Sequence, residues 1–497
     1  MPPLSSEPAS SGENSKPLVL LAQPLFPNFA AALEGRYRFV LADDSAAAAE
    51  ARVLLVPGLK TVTADLLDRL PALELVAATS VGVDHVDLHT CRRRGITVTN
   101  AGPAFSADSA DYGVGLVVAV LRRVAAAEAY VRRGRWAKDG DYPLTTKNRA
   151  GRQPTNPISG QWRLLDCSAK NEDASKSVGM EPAIQQPVAD NKPLVLLADP
   201  IIPEFESELS GRFRLLPLTD ADPTAATSAR ALLMVDLPAV TAAFIGALPA
   251  LELVVASSAG IDHIDLAACR RRGIQVTNAG AAYSADAADY AVGLLVAVLR
   301  RVAAADAYVR RGGWAAENPL LATKVSGKRV GIVGLGRIGS LIAKRLAAFG
   351  CPVSYHSRSP KPSSPYTFYP TARALAADSD VLVLCCALTE ETRRMVGRDV
   401  MEALGSGGVL VNVGRGGLVD EPELVRCLRD GVIAGAGLDV YENEPHVPRE
   451  LLGMDNVVLS DHRAVLTTES MQAVIHLVAG NLDAFFDGKP LLSPVTL

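Results

Sequence analysis

The chain lacks most of what would mark a nucleic-acid-binding, extracellular or membrane-spanning protein. Acidic and basic residues nearly cancel, 54 against 50, so no polybasic surface is available for a phosphate backbone and nucleic acid is not an expected partner. The seven cysteines, Cys91, Cys167, Cys269, Cys351, Cys385, Cys386 and Cys427, form no CxxC pair and no disulfide framework. That usage fits a reduced, cytosolic setting and indicates no metal site. No apolar stretch runs the length of a membrane span without a breaker or a charge. The opening MPPLSSEPASSGENS has neither the basic start nor the apolar core of a leader, so residues 1–15 are expected to be a disordered tail. The closing SPVTL is not a peroxisomal tripeptide.

What the chain has is length, apolar content and a repeat. Its 497 residues, 48% of them hydrophobic, suffice for about two to four domains. KPLVLLAQPLFPNF from Lys16 returns as KPLVLLADPIIPEF from Lys192, and VGVDHVDLHTCRRRGITVTNAG from Val81 returns as AGIDHIDLAACRRRGIQVTNAG from Ala259. The offset moves only from 176 (192 − 16) to 178 (290 − 112, the two tyrosines), so the copies align almost without gaps. Each copy opens with a buried-type strand, Leu18 to Ala22 or Leu194 to Ala198. Further strands are expected at Val53 to Val56, Leu75 to Ala78 and Thr97 to Thr99, giving an open α/β layer. Each copy then enters a long apolar helix, Ser109 to Arg133 or Ala287 to Arg311, wide enough in its apolar face to bury against more than one neighbour. The first copy stops at Lys147. Residues 148–191, rich in Asn, Ser, Gln, Lys and Pro, read as a linker.

The second copy continues into KRVGIVGLGRIGS, where Gly334-x-Gly336-x-x-Gly339 follows a short apolar strand and opens an amphipathic helix over Arg337 to Phe349. Glycines at this spacing permit a tight turn, backbone approach to a pyrophosphate and close helix–strand packing, which points to a dinucleotide site. The next strand, Pro352 to His356, ends in Ser357-Arg358-Ser359, where an NAD-binding chain would carry an acid for the ribose hydroxyls. A guanidinium there suits a 2′-phosphate, so NADPH is the expected cofactor and NADH the weaker alternative. Later strands at Val381 to Cys385, Gly408 to Val413, Ala434 to Leu438 and Val457 to Leu459 are followed by loops carrying Arg415, Glu444 and His462. Singly, these could be an exposed loop charge, a solvated acid and a satisfied histidine. Together, at the carboxyl ends of strands in one parallel sheet, they converge where such sheets bind ligands.

GLGRIGS, NVGRGGLVDE, AGLDVYENEP and the histidine after the last strand together resemble the D-isomer-specific 2-hydroxyacid dehydrogenases, including a 29-residue Arg-to-Glu interval (444 − 415). Within that family the chain looks most like the cytosolic, NADPH-preferring glyoxylate/hydroxypyruvate reductases of plants. The resemblance implies a Rossmann-type doubly wound parallel sheet over 293–465 and a flavodoxin-like substrate domain over 192–292 and 466–497. A truncated duplicate of the substrate half, 16–147, would precede them. Arg415 would hold the 2-oxo acid, His462 would donate the proton, and Glu444 would orient the imidazole. Ser258, Ala259, Gly260 and Ile261 would cup the substrate carboxylate, with Asp262 and Asp265 as turn formers.

Gly334, Gly336, Arg337, Ile338 and Gly339 would meet the pyrophosphate, Ser357, Arg358 and Ser359 the adenosine end, Cys386 and Val413 the cofactor cleft, and Asp439 the nicotinamide amide. His85 and His263 read as structural. A homodimer through Ala287 to Arg311 is also implied, with no nucleic acid or membrane as partner. Two departures stand out: Asp461 occupies the family's usual proline position, and Arg463 and Ala464 follow the histidine. The carboxylate would raise the histidine pKa, and Arg463 would oppose it or crowd the pocket. The first copy has no counterpart of Arg415, Glu444 or His462, so it is not expected to catalyse alone. The alternatives are a non-catalytic, corepressor-like NAD(P)H sensor, a hydroxyphenylpyruvate reductase and an NAD-linked phosphoglycerate dehydrogenase.

Overall fold

The computed structural model describes residues 16–142 and 192–496, apart from positions 26, 34, 44, 236 and 316–320. The expected tail over 1–15 and linker over 148–191 lie outside the described residues. The chain forms two compact units that divide between Ala110 and Asp111.

The first unit holds a parallel sheet of β1 (Leu18–Leu21), β2 (Arg38–Leu41), β3 (Val53–Val56), β4 (Leu75–Ala78) and β5 (Thr97–Thr99), in the order β2-β1-β3-β4-β5. Its core gathers Leu20, Leu54, Val56, Leu67, Leu70 and Val76, all with almost no exposed surface.

The second unit repeats this sheet with β6 (Leu194–Leu197), β7 (Arg214–Pro217), β8 (Ala231–Met234), β9 (Leu253–Ala256) and β10 (Gln275–Thr277), in the equivalent order β7-β6-β8-β9-β10. The last helix, Thr468–Phe486, packs Val474, Val478, Leu482 and Phe485 into the same core as Val195, Leu233 and Val255. It begins at a capping box in which the Thr467 hydroxyl accepts from Ser470 N and Ser470 returns the bond, satisfying two orphan main-chain donors.

Between these parts of the chain lies a seven-stranded parallel sheet. Its strands are β11 (Val330–Val333), β12 (Val353–His356), β13 (Thr367–Tyr369), β14 (Val381–Leu384), β15 (Val409–Asn412), β16 (Gly435–Leu438) and β17 (Val457–Leu459). The order β13-β12-β11-β14-β15-β16-β17 reverses direction at β11, the switch point where doubly wound sheets bind ligands.

The two long helices expected from the sequence are each broken. Ser106–Leu121 gives way to Val124–Arg132 at Arg123, and Ser284–Leu299 to Val302–Arg310 at Arg301, both arginines in the left-handed region at φ +54°. The unit boundary also falls inside the first copy. Residues 111–142 belong with the second copy rather than with the sheet that precedes them.

The span Gly102–Leu121 is, by length and composition alone, apolar enough to cross a membrane, at mean hydropathy 1.3. The repeat supplies a physical reason for that composition. In the equivalent helix Ser284–Leu299 the same apolar rows are buried in the core beneath the seven-stranded sheet, whereas Val117, Val120 and Leu121 are exposed.

Candidate active site

The fingerprint turn has the shape a dinucleotide requires. Gly334 sits at φ +104° with Cys386 main-chain atoms 2.8 Å from where a Cβ would lie, and a Cβ on Gly339 would stand 2.0 Å from Gly334 O. Space around Gly336 is open, and as N-cap of the twelve-residue helix Arg337–Ala348 it leaves the first turn without a side-chain cap. An uncapped helix N-terminus beside open space is a fit for an anionic pyrophosphate. Arg337 is exposed and Ile338 half-buried over this opening.

At the end of β12, the Ser357 hydroxyl donates to Ser359 O at 2.7 Å, and Arg358 is exposed with no ion pair among the described residues. Val413 and Cys386 are half-buried after β15 and β14. Burial pushes the Cys386 thiol up to about 11, which disfavours the thiolate a nucleophile would need.

The catalytic side of the crevice is built by loops leaving β9, β15, β16 and β17. After β9, Ser258 Oγ donates to Gly260 O at 2.7 Å and Asn278 Nδ2 to Ala259 O at 2.9 Å, pinning the loop from its carbonyl side. The main-chain N–H groups of Ala259, Gly260 and Ile261 donate to nothing among the described residues, leaving donors available to an anion.

After β15, Asn412 Nδ2 donates to Arg415 O at 2.9 Å and Gly414 N to Asn412 Oδ1 at 3.0 Å. The Arg415 guanidinium then reaches the β9 loop. Its Nε donates to Asp262 Oδ1 at 3.1 Å, and a Cβ on Gly260 would lie 1.9 Å from Nη2. Asp262 is therefore a positioning carboxylate for Arg415, not only a turn former. Asp265 does cap a helix, accepting from Ala268 N at 2.8 Å. The pKa of His263, half-buried beside Asp262 and Arg415, is lowered by burial, and its buried Nε2 has no hydrogen-bond partner among the described residues.

After β17, His462 stands in the left-handed region at φ +50°, a strained conformation for a non-glycine residue. Asp439 maintains it. His462 N donates to Asp439 O at 2.8 Å, and the fully buried Asp439 carboxylate accepts from Arg463 N, Ala464 N and Ser460 Oγ at 2.9, 2.9 and 2.7 Å. The resemblance places Asp439 at the nicotinamide amide; in this structure its carboxylate also holds the histidine loop through three hydrogen bonds.

His462 Nδ1 lies 2.7 Å from Glu444 Oε2, and the other Glu444 oxygen accepts from Tyr441 N at 2.9 Å. Burial alone would push the imidazole pKa down, but the hydrogen bond and charge of Glu444, with Asp439 behind, outweigh both it and Arg415, and the net shift is upward. Nε2 makes no hydrogen bond among the described residues.

Asp461 and Arg463 flank His462 with both side chains buried in the protein rather than open to the crevice. Asp461 Oδ2 accepts from Tyr142 N at 2.7 Å, Arg463 Nη1 lies 3.4 Å from Asp461 Oδ1, and both residues are almost wholly buried. Burial pushes the Asp461 carboxyl up to about 6, opposed by Arg463 and the Tyr142 N–H.

The folded state thus binds this proton more tightly than an unfolded carboxyl near 3.8, so stability is lost as pH rises through about 6. Asp461→Asn, whose amide oxygen can still accept from Tyr142 N, is expected to remove this pH dependence. Urea unfolding between about pH 4 and 7 checks this: the fall in stability of the wild-type chain across that range should shrink in the variant.

Asp262, Tyr441 and Asn412 are absent from the sequence-based set of site residues. Tyr441 and Asn412 lie inside the quoted motifs, so their positions were in view, but no feature of residue type or spacing assigned them a role.

The family model described as the NAD binding domain of D-isomer specific 2-hydroxyacid dehydrogenase matches residues 292–464, and that for the catalytic domain matches 24–186. A glyoxylate/hydroxypyruvate reductase of Arabidopsis thaliana is 57% identical over 316 residues, covering 61% of this chain and 98% of that protein. Hydroxyphenylpyruvate reductase of Plectranthus scutellarioides is 48% identical over 307 residues, with 61% and 98% covered. Among solved structures, the NADPH-dependent glyoxylate/hydroxypyruvate reductase of Sinorhizobium meliloti, in complex with NADP and malonate, aligns at TM-score 0.58 and 37% identity, covering 61% of this chain and 97% of that one. With a dinucleotide turn, an arginine and a histidine–glutamate pair on one crevice, and relatives matched over nearly their whole length, the chain belongs to the D-isomer specific 2-hydroxyacid dehydrogenases.

Proposed function

We propose that this chain reduces small 2-oxo acids, hydroxypyruvate and glyoxylate first among them, to D-2-hydroxy acids with NADPH. The observation that carries the reading is the 2.7 Å His462–Glu444 pair on the same crevice as an Arg415 held against the β9 loop. In this reading Arg415 takes the substrate carboxylate and carbonyl oxygen as a planar, permanently charged fork. The free N–H groups of Ala259, Gly260 and Ile261 receive the second carboxylate oxygen. The bound reduced nicotinamide supplies hydride to C2. His462 gives the Nε2 proton to the carbonyl oxygen, and Glu444 holds Nδ1–H, so the imidazole keeps one orientation through the transfer.

The NADPH preference rests on Arg358, exposed beside Ser357 and Ser359 where NAD-type sites carry an acid. A cytosolic setting is part of the proposal and is supported by six free cysteines among the described residues.

The test is oxidation of NADPH and NADH by the full chain with hydroxypyruvate, glyoxylate and hydroxyphenylpyruvate, the last because a relative of that name is 48% identical. Arg358→Ala is expected to raise KM for NADPH by about 10- to 100-fold, the worth of one charge-assisted contact, and to leave KM for NADH unchanged. Equal loss with both cofactors would remove Arg358 from phosphate recognition.

A further inference from the structure

Residues 111–142 of the first copy lie on the second copy with a pseudo-twofold relation. Cβ atoms added to Gly115 and Gly293 would meet Val296 and Val118 at 2.4 and 2.5 Å, and the members of the two pairs differ by one offset, 178 (293 − 115 = 296 − 118). Arg122 lies over the Tyr290 ring at 5.1 Å, and its equivalent Arg300 over Tyr112 at 5.3 Å. Reciprocal contacts of this kind are the signature of an isologous dimer interface, here made by two stretches of one chain.

Past this seam the symmetry ends. Arg132 donates to the carbonyls of Leu452, Met454 and Val457 at 2.8, 2.9 and 2.7 Å, fastening the first-copy arm beside β17. Among the described residues its equivalent Arg310 reaches only Asp306, four residues back on its own helix. Trp136 is 5% exposed and Val131 2%, while Trp314 is 76% and Val309 53% exposed. Among the described residues the first copy has no counterpart of 330–464 to receive the second arm, and the burial of Trp136 and Val131 is not matched at Trp314 and Val309.

The docked arm ends against the catalytic loops. The Trp136 ring meets Tyr441 edge-on at 5.7 Å, Tyr441 N holds Glu444 at 2.9 Å, and Glu444 holds His462. Tyr142 N fastens Asp461, and the Arg463 guanidinium lies 4.9 Å from the Tyr142 ring, so both neighbours of His462 are anchored to the arm as well.

We propose that the arm of the degenerate first copy completes this chain's own active site in the place of a second subunit, with Trp136 as a positioning residue for the Tyr441–Glu444 turn behind His462. The catalytic part of this inference rests on the reductase reading above.

Two measurements on the full chain test it. Light scattering at assay concentration should give a species of 52.3 kDa; a species of twice that mass, with Trp314 docked in trans, would overturn the proposal. In kinetics, Trp136→Ala should lower kcat at least about tenfold and move the alkaline limb of the reduction profile to lower pH, because His462, faced by Glu444, Asp439 and Arg415, loses a well-held partner. KM for NADPH should stay unchanged, Trp136→Phe should recover most of kcat, and Trp314→Ala should change nothing. Wild-type kinetics in Trp136→Ala, or a loss carried by Trp314→Ala instead, would overturn the assignment. A wild-type chain without turnover would count against the reductase reading alone, and the mass would still decide whether the arm replaces a subunit.

Discussion

His462→Ala is expected to lower kcat for 2-oxo acid reduction by about 10²- to 10⁴-fold, the usual worth of a positioned general acid. Glu444→Gln should be milder near neutrality and more informative across pH. In the wild-type chain the Glu444 hydrogen bond and charge hold the imidazole pKa above its ordinary value near 6.5, against burial and against Arg415. Reduction needs the protonated ring, so its rate should be flat below the raised pKa and fall as pH rises through it. With glutamine the raising interactions weaken while burial persists, so the falling limb moves to lower pH. Oxidation of the hydroxy acid needs the neutral ring, and its rising limb should move the same way. The linkage to stability has the same sign: the His462–Glu444 contribution is full below the unfolded histidine pKa and is lost as pH rises through the folded one. An unchanged reduction profile in Glu444→Gln would remove Glu444 from the acid–base pair.

Much of this site could be read from the sequence because parallel strands buried on both faces are written as continuous apolar runs. VGIV, VLVL and VLVN, now β11, β14 and β15, could hardly be anything else, and the glycine triplet fixed the turn between strand and helix. The edge strands β2, RFVL, and β13, TFY, carry polar residues and pair on one side only, so no such run marked them. The helix breaks at Arg123 and Arg301 left no signal, since neither glycine nor proline stands there. Asp262 was harder still. Its equivalent Asp84 stands in a copy that has no arginine to meet it, so the repeat carries no sign of the contact with Arg415. Asp461 and Arg463 flank His462 in sequence, yet the positive φ between them turns their side chains into the core. Periodicity marked Ser109 to Arg133 as a burying surface but could not name the surface that receives it, because that contact joins residues more than 300 positions apart.

Arg415→Ala is expected to lower kcat/KM for the 2-oxo acid by about 10²- to 10⁴-fold, from two charge-assisted hydrogen bonds at about 1.5–3 kcal/mol each. Arg415→Lys should recover little, because an ammonium cannot present the fork. A sharper test leaves the arginine in place. In Gly260→Ala the new methyl would stand 1.9 Å from Arg415 Nη2 and 2.8 Å from Cζ, so the flexible end of the side chain must leave the loop. KM for the oxo acid should then rise steeply while NADPH binding, measured by fluorescence titration, stays as in the wild type, because the fingerprint turn lies on a different strand end. The same substitution at Gly82 meets, among the described residues, only Asp84 Oδ1 at 2.8 Å and should leave the kinetics untouched. If Gly260→Ala binds and reduces the oxo acid normally, the contact of Arg415 with the β9 loop is dispensable and the carboxylate must be held by other groups. If Gly82→Ala is as damaging as Gly260→Ala, the assignment of substrate binding to the second copy alone fails.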